Sequence, residues 1–151
     1  MKAVVQRVKR SAVRIGGETN GEIGIGMLIL LGVHEEDNES DSNFLADKCA
    51  ALRIFDDENG RMNLSVKDIS GSALVVSQFT LYGDARRGNR PNYMQAAKPE
   101  PAGKLYRRFV ERLEVSLGKD RVATGVFREE MEVELVNDGP VTIIIDTREH
   151  D

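Results

Sequence analysis

At 151 residues the chain is long enough for one domain with a sizeable core, and 40% hydrophobic against 30% charged residues is the balance of a soluble globular protein. Twenty-one basic and 25 acidic residues leave a formal net charge of −4, which excludes a molecule that binds nucleic acid over its whole surface by charge. The single cysteine, Cys49, excludes an internal disulfide and a cysteine-based zinc site.

Charge interrupts Met1 to Arg7 before a signal-peptide core can form, and the longest apolar run, Met27 to Val33, is far too short to span a bilayer, so a cytoplasmic chain is expected. Lys2 to Val8 and Ala12 to Ile15 read as two strands joined near Lys9-Arg10. Gly16-Gly17 makes a turn, and Glu22 to Ile25 leads into Met27 to Val33, a glycine-bounded run that suits a buried central strand. Gly24 and Gly26 do not form a dinucleotide fingerprint, because the third glycine is missing and the pair precedes a strand.

An acidic loop over 34 to 42 leads to a helix carrying Phe44, Leu45, Lys48, Cys49 and Leu52, with Ser40 or Asp41 as its N-cap. Cys49 reads as a buried small hydrophobe. Arg53-Ile54-Phe55 turns through Asp56 to Gly60 into Met62-Asn63-Leu64. The acidic turn lacks the terminal glutamate of a calcium loop and is taken as solvated.

Leu74 to Tyr82 begins as a run of β-branched and apolar residues and ends with Ser77, Gln78 and Thr80. Read as one strand, it sets Gln78 and Thr80 on one face and Ser77 and Phe79 on the other. That is either a strand emerging into solvent or the polar floor of a pocket. A glycine-rich basic loop follows, Gly83 to Tyr93, and Lys98-Pro99-Glu100-Pro101 opens a second helix. Leu105, Tyr106, Phe109, Val110, Leu113 and Leu117 form its apolar stripe, Arg107, Arg108 and Arg112 project from the other face, and Gly118 ends it.

Eight basic residues against three acidic ones give positions 84 to 112 a charge of +5 on an otherwise acidic chain, which suits a phosphate-bearing partner. Arg86, Arg87 and Arg90 are the expected phosphate contacts. Val122 to Phe127 reads as a short strand or loop and Met131 to Val136 as an alternating strand. Asn137-Asp138-Gly139-Pro140 then breaks the chain before a last strand, Val141 to Asp146.

Ser77-Gln78-Phe79-Thr80-Leu81 and Asn137-Asp138-Gly139-Pro140-Val141-Thr142 together resemble the two signature motifs of the D-aminoacyl-tRNA deacylase family. The similarity extends to Ala3 to Val8, Gly21 to Gly24, Arg53-Ile54-Phe55, Met62 to Ser65 and Gly125-Val126-Phe127 leading to Met131, so it covers essentially the whole chain. Gly83 and Tyr93 stand where relatives often carry Ala and Phe, and Glu130 where Asp is common.

The resemblance implies a single α/β domain over 1–151, with two β layers, partly barrel-like with mixed sheets, and helices packed outside. It implies a homodimeric hydrolase that cleaves the ester between a D-amino acid and the 3′ end of tRNA, with aminoacyl-tRNA and not DNA as its nucleic-acid partner and no membrane association. It further implies that a cis Gly139-Pro140 peptide reaches into the neighbouring subunit's pocket and crowds out L-amino acids, which would leave glycyl-tRNA open to hydrolysis. X-Pro bonds tolerate the cis form far better than others. Ser77, Met131, Asn137, Gly139 and Pro140 would then bind substrate.

An ester carbonyl needs donors where its oxyanion develops, and the candidates are the Phe79 backbone N–H and the Gln78 side chain. Thr80 is the third candidate catalytic group. As a nucleophile it would need a neighbouring base, and neither histidine, His34 in an acidic loop or His150 in the tail, is suitably placed to complete a triad. The resemblance favours a route assisted by the terminal ribose 2′-hydroxyl, with Thr80 lining the pocket. No metal-ligand spacing occurs, and no cofactor is expected. A noncatalytic RNA-binding module and a general esterase using Thr80 are the alternatives.

Overall fold

Apolar residues at alternate positions carry the first strand, β1 (Lys2–Ile15), through the expected break, with only Lys9 and Arg10 exposed in mid-strand. The chain has no glycine or proline there to turn it, so the charged pair is absorbed by bulges in one ladder instead. These coordinates are a computed structural model that describes residues 1–149; His150, weighed above as a triad member, lies outside the described residues.

Gly16 and Gly17, at φ 58° and 83°, adopt left-handed conformations and return the chain into β2 (Glu18–Ile23), antiparallel to β1. The apolar run forms β3 (Gly26–Gly32), antiparallel to β1 on one side and parallel to β6 (Ser72–Ser77) on the other. Gly26 is needed for contact: a Cβ there would lie 1.7 Å from the Ser72 carbonyl oxygen. Beyond β6 lies parallel β7 (Val122–Thr124), giving the order β2-β1-β3-β6-β7. The Asn20 side chain donates to the Thr124 carbonyl at 2.9 Å, so the two ends of the sheet meet and the layer is nearly a barrel. A small second sheet pairs β4 (Phe55–Asp56) with β5 (Met62–Leu64) across the turn at Gly60. Asp57 in that turn accepts from the amides of Asn59 and Arg61, which uses its carboxylate locally.

The last strand, β8 (Glu132–Asp146), also runs on where a break was expected. It pairs with β1 alone among the described residues, and Thr142 faces Gln6 while Asn137 faces Val8. Positions 138–141 therefore bulge out opposite Arg7. An edge strand tolerates Pro140 there, since its missing N–H breaks no ladder bond on a second side. The Gly139–Pro140 peptide is cis.

Two helices cover one face. Helix α1 (Glu39–Ala51) is capped by Asn38, not by Ser40 or Asp41: its side chain accepts from both of their amides while Asp41 bonds back to the Asn38 amide. Phe44 is 41% exposed with Lys48 over its ring, so the buried face is Ser42, Leu45, Ala46, Cys49 and Ala50. Burial pushes the Cys49 thiol up to about 12. Helix α2 (Pro99–Leu117) starts on Pro99 and ends at Gly118, with φ 98°, and buries the predicted stripe, Val110 only partly. Ser42 donates to the Leu105 carbonyl at 2.9 Å between the helices, and the Tyr106 hydroxyl donates to Val75 at 3.0 Å, which pins α2 to β6.

Strand alternation divides the interior. Val5, Ile29 and Val75 face the helices, where Leu45, Phe109 and Leu113 meet them. Val8, Val13, Leu28, Leu74 and Val76 fill the inside of the curl. No helix among the described residues is long and apolar enough to cross a membrane.

Candidate active site

Strands β3 and β6 run parallel and end side by side, the position at which open α/β sheets leave a crevice. A cavity of about 640 Å³ opens there, ample for a small-molecule or nucleoside-sized ligand. Val33, Val76, Ser77 and Gln78 form its floor, and the lead-in to α2 closes one wall at Ala96 and Ala97. The segment Phe127 to Met131 closes the other. Ala97 donates to the Val33 carbonyl at 2.9 Å and Gly125 to the Val75 carbonyl at 3.1 Å, so both walls are tied to the strand ends.

The expected strand over 74–82 stops at Ser77. Gln78 donates to the Leu31 carbonyl at 2.8 Å, and Phe79–Tyr82 coil into one 3-10 turn. Face alternation therefore fails beyond Ser77, yet Gln78 and Thr80 still meet: the Gln78 Nε2 donates to the Thr80 hydroxyl oxygen at 2.5 Å. The first amide that the turn itself uses is that of Leu81, which donates to Gln78 O at 3.2 Å. Those of Phe79 and Thr80 precede it and have no acceptor within the turn. The Phe79 ring, 57% exposed, stands edge-on to Tyr93 with centroids 5.3 Å apart at the mouth of the cavity.

Of the predicted site residues, Ser77, Gln78, Phe79 and Met131 line this cavity, with Thr80 bonded to it through Gln78. Met131 fits because Gly125 lacks a Cβ, which would lie 2.5 Å from its sulfur. Asn137, Gly139 and Pro140 are not among the cavity's residues in the same chain. Gln6 Nε2 donates to the Asn137 side-chain oxygen at 3.1 Å, and the buried Arg7 donates to the Asp138 carbonyl at 3.0 Å and to Ile54 at 2.7 Å, so β1 holds the bulge that presents Gly139 and Pro140.

His34 is committed elsewhere. Its Nδ1 accepts from the Glu36 amide and its ring stands edge-on to Tyr82, whose hydroxyl burial holds above the usual tyrosine range.

The basic stretch is less available than its charge suggests. Arg112 forms a two-bond pair with Asp47, and Arg108 contacts Asn43 and Glu39, so both tie α2 to α1. Arg86 is clamped by Asp84, and its hydrogen bonds hold that carboxyl down to about 2. Arg87 and Arg90 are exposed and enter no ion pair among the described residues. Sequence reasoning missed the wall at Arg128 and Glu129, and met Glu130 only as a departure from the family pattern. Arg128 has φ 72°, a left-handed residue that no glycine in the sequence announces.

The family model described as D-Tyr-tRNA(Tyr) deacylase matches residues 4–146. The D-aminoacyl-tRNA deacylase of Symbiobacterium thermophilum is 58% identical, over 97% of this chain and 96% of that one. The protein of the same name from Anaeromyxobacter dehalogenans is 57% identical over 98% of each. A solved structure described as c-Myc DNA Unwinding Element Binding Protein superposes with TM-score 0.93 at 40% identity, over 97% of this chain and 99% of that one. A probable eukaryotic D-amino acid tRNA deacylase, 15% identical over 95% and 97% of the two chains, shares the fold with TM-score 0.82. With matches of this identity running the length of the chain, it belongs to the D-Tyr-tRNA(Tyr) deacylase family.

Proposed function

We propose that the protein hydrolyses the ester joining a D-amino acid to the 3′ end of tRNA, acting in the cytoplasm as a homodimer that spares L-aminoacyl-tRNA. One observation carries the reading: the segment that matches the family's first motif forms the floor and lip of the cavity, where the turn leaves the Phe79 and Thr80 amides unused. The Phe79 N–H, assisted by the Gln78 side chain, stabilises the oxyanion formed as water adds to the ester carbonyl. Water supplies the incoming oxygen, the bond to the ribose oxygen breaks, and the ribose hydroxyl takes up the proton. The neighbouring 2′-hydroxyl assists, so the protein mainly positions and polarises. Ser77 and Met131 hold the aminoacyl end, and Arg87 and Arg90, with Arg86, meet phosphates farther along the tRNA.

Gly139 and Pro140 act on the cavity of a second copy. The reading is supported by their exposure, by their absence from the cavity of their own chain, and by the unpaired outer edge of β8 with its exposed Ile144. Backbone that crowds the L side chain has nothing to exclude in glycine, so glycyl-tRNA is hydrolysed as well.

The Thr80-esterase alternative is disfavoured, since the hydroxyl's partner is an amide, which takes up no proton at neutral pH. Thr80→Val is expected to keep kcat on D-tyrosyl-tRNA within about tenfold of wild type, whereas loss of a true nucleophile removes roughly 10⁴-fold or more. A loss of the second size in a steady-state assay would assign Thr80 the nucleophile's role. The relative named as a DNA-binding protein keeps a noncatalytic nucleic-acid module in view. That module would bind D-tyrosyl-tRNA and leave its ester intact.

A further inference from the structure

We infer that a basic groove beside the cavity, built by Lys98, Arg107 and Arg128, carries the phosphodiester backbone of the tRNA 3′ end and so fixes the direction in which the terminus enters. The inference rests on the deacylase reading. The groove has a volume of about 480 Å³ and shares Pro99, Phe127 and Arg128 with the cavity, so the two lie side by side. A nucleoside seated in the cavity has to pass its 5′ phosphate out through an opening of this kind.

Unpaired charge marks this opening, as it marks Arg87 and Arg90 in the loop. Arg86, Arg108 and Arg112 are paired with acidic neighbours, whereas Lys98, Arg107 and Arg128 enter no ion pair among the described residues. The one carboxylate lining the groove, Glu100, faces Lys104 at 4.0 Å.

Arg107 is folded back along α2. A Cβ on Gly103 would lie 3.3 Å from its Nη1 and 3.3 Å from the Phe127 ring, so glycine leaves room for the guanidinium and the ring to close on the same turn of α2. The start of α2 adds little of its own, because Pro99 and Pro101 lack the N–H groups that make other helix starts anion sites. Recognition falls to the three side chains, as contacts that position a backbone without reading sequence.

The test compares wild type with the double variant Lys98→Gln/Arg107→Gln on two esters, D-tyrosyl-tRNA and 3′-(D-tyrosyl)adenosine, which has no phosphate. Each phosphate contact on a single strand contributes about 0.7 to the log–log salt slope, so the double variant should show a slope shallower by about 1.4 and kcat/KM roughly 10–30-fold lower on tRNA at about 0.1 M salt. The ratio of variant to wild type on the adenosine ester should stay near one, which also reports that the variant folds. Arg107→Lys should retain most of the slope. Equal losses on both esters, or an unchanged slope on tRNA, would overturn the groove's role. A wild-type protein that leaves both esters intact would overturn the deacylase reading, and this inference with it.

Discussion

Phe79→Pro is expected to lower kcat on D-aminoacyl-tRNA by roughly 10²–10³-fold, the usual consequence of removing one oxyanion donor, with KM little changed. Phe79→Ala keeps the N–H and removes only an exposed ring, so its loss should stay within about tenfold. The fold should accept the proline. Position 79 opens the 3-10 turn, where an amide has no partner within the turn, and proline is favoured at such first positions. Gln78, with φ −143° and ψ 83°, lies outside the helical region that a following proline forbids. Urea unfolding of the three proteins checks the fold, and steady-state kinetics separates the roles. If alanine were as damaging as proline, the ring and not the amide would be the group that matters.

Gly139→Ala is expected to lower the preference for D- over L-tyrosyl-tRNA by about 100-fold while leaving the D rate within about threefold, since a displacement near 1 Å at a positioning element costs that much. A Cβ at Gly139 would lie 2.5 Å from the Asn137 side-chain nitrogen, and Asn137 is in turn held by Gln6. The bulge over 138–141 then shifts, while the oxyanion donors stay where they are. Competition between the two esters, followed by release of each amino acid, gives the ratio directly. Unchanged discrimination would remove Gly139 and Pro140 from the filter.

Much of the fold was legible because burial writes itself into period and punctuation. Met27 to Val33 is apolar throughout because β3 lies between β1 and β6, and the stripe of α2 with its closing Gly118 is visible for the same reason. The strand ends were legible only in part. Val75, Val76, Phe79, Thr80 and Tyr82 are strand-forming side chains, yet after the last ladder bond, from Gln78 to Leu31, the chain coils into the 3-10 turn that the Leu81 N–H closes onto the Gln78 carbonyl. Lys9-Arg10 and Gly139-Pro140 look like breaks, yet both fall on bulges of one long ladder between β1 and β8. The site shows the same division. Ser77 to Thr80 and Met131 could be found as motif residues, whereas Arg108 and Arg112 were read as a free basic face because their acidic partners lie on α1. Lys98 and Arg128, far apart in sequence, gain a common role only when α2 and the segment before β8 close the cavity together.

The central claim is chiral hydrolysis, and matched D- and L-tyrosyl-tRNA offered to the purified wild-type protein test it most directly. Rapid release of D-tyrosine, with the L ester spared by a factor of at least about 100, is the predicted result. Comparable hydrolysis of both esters would contradict the filter, and release of neither would contradict the enzyme.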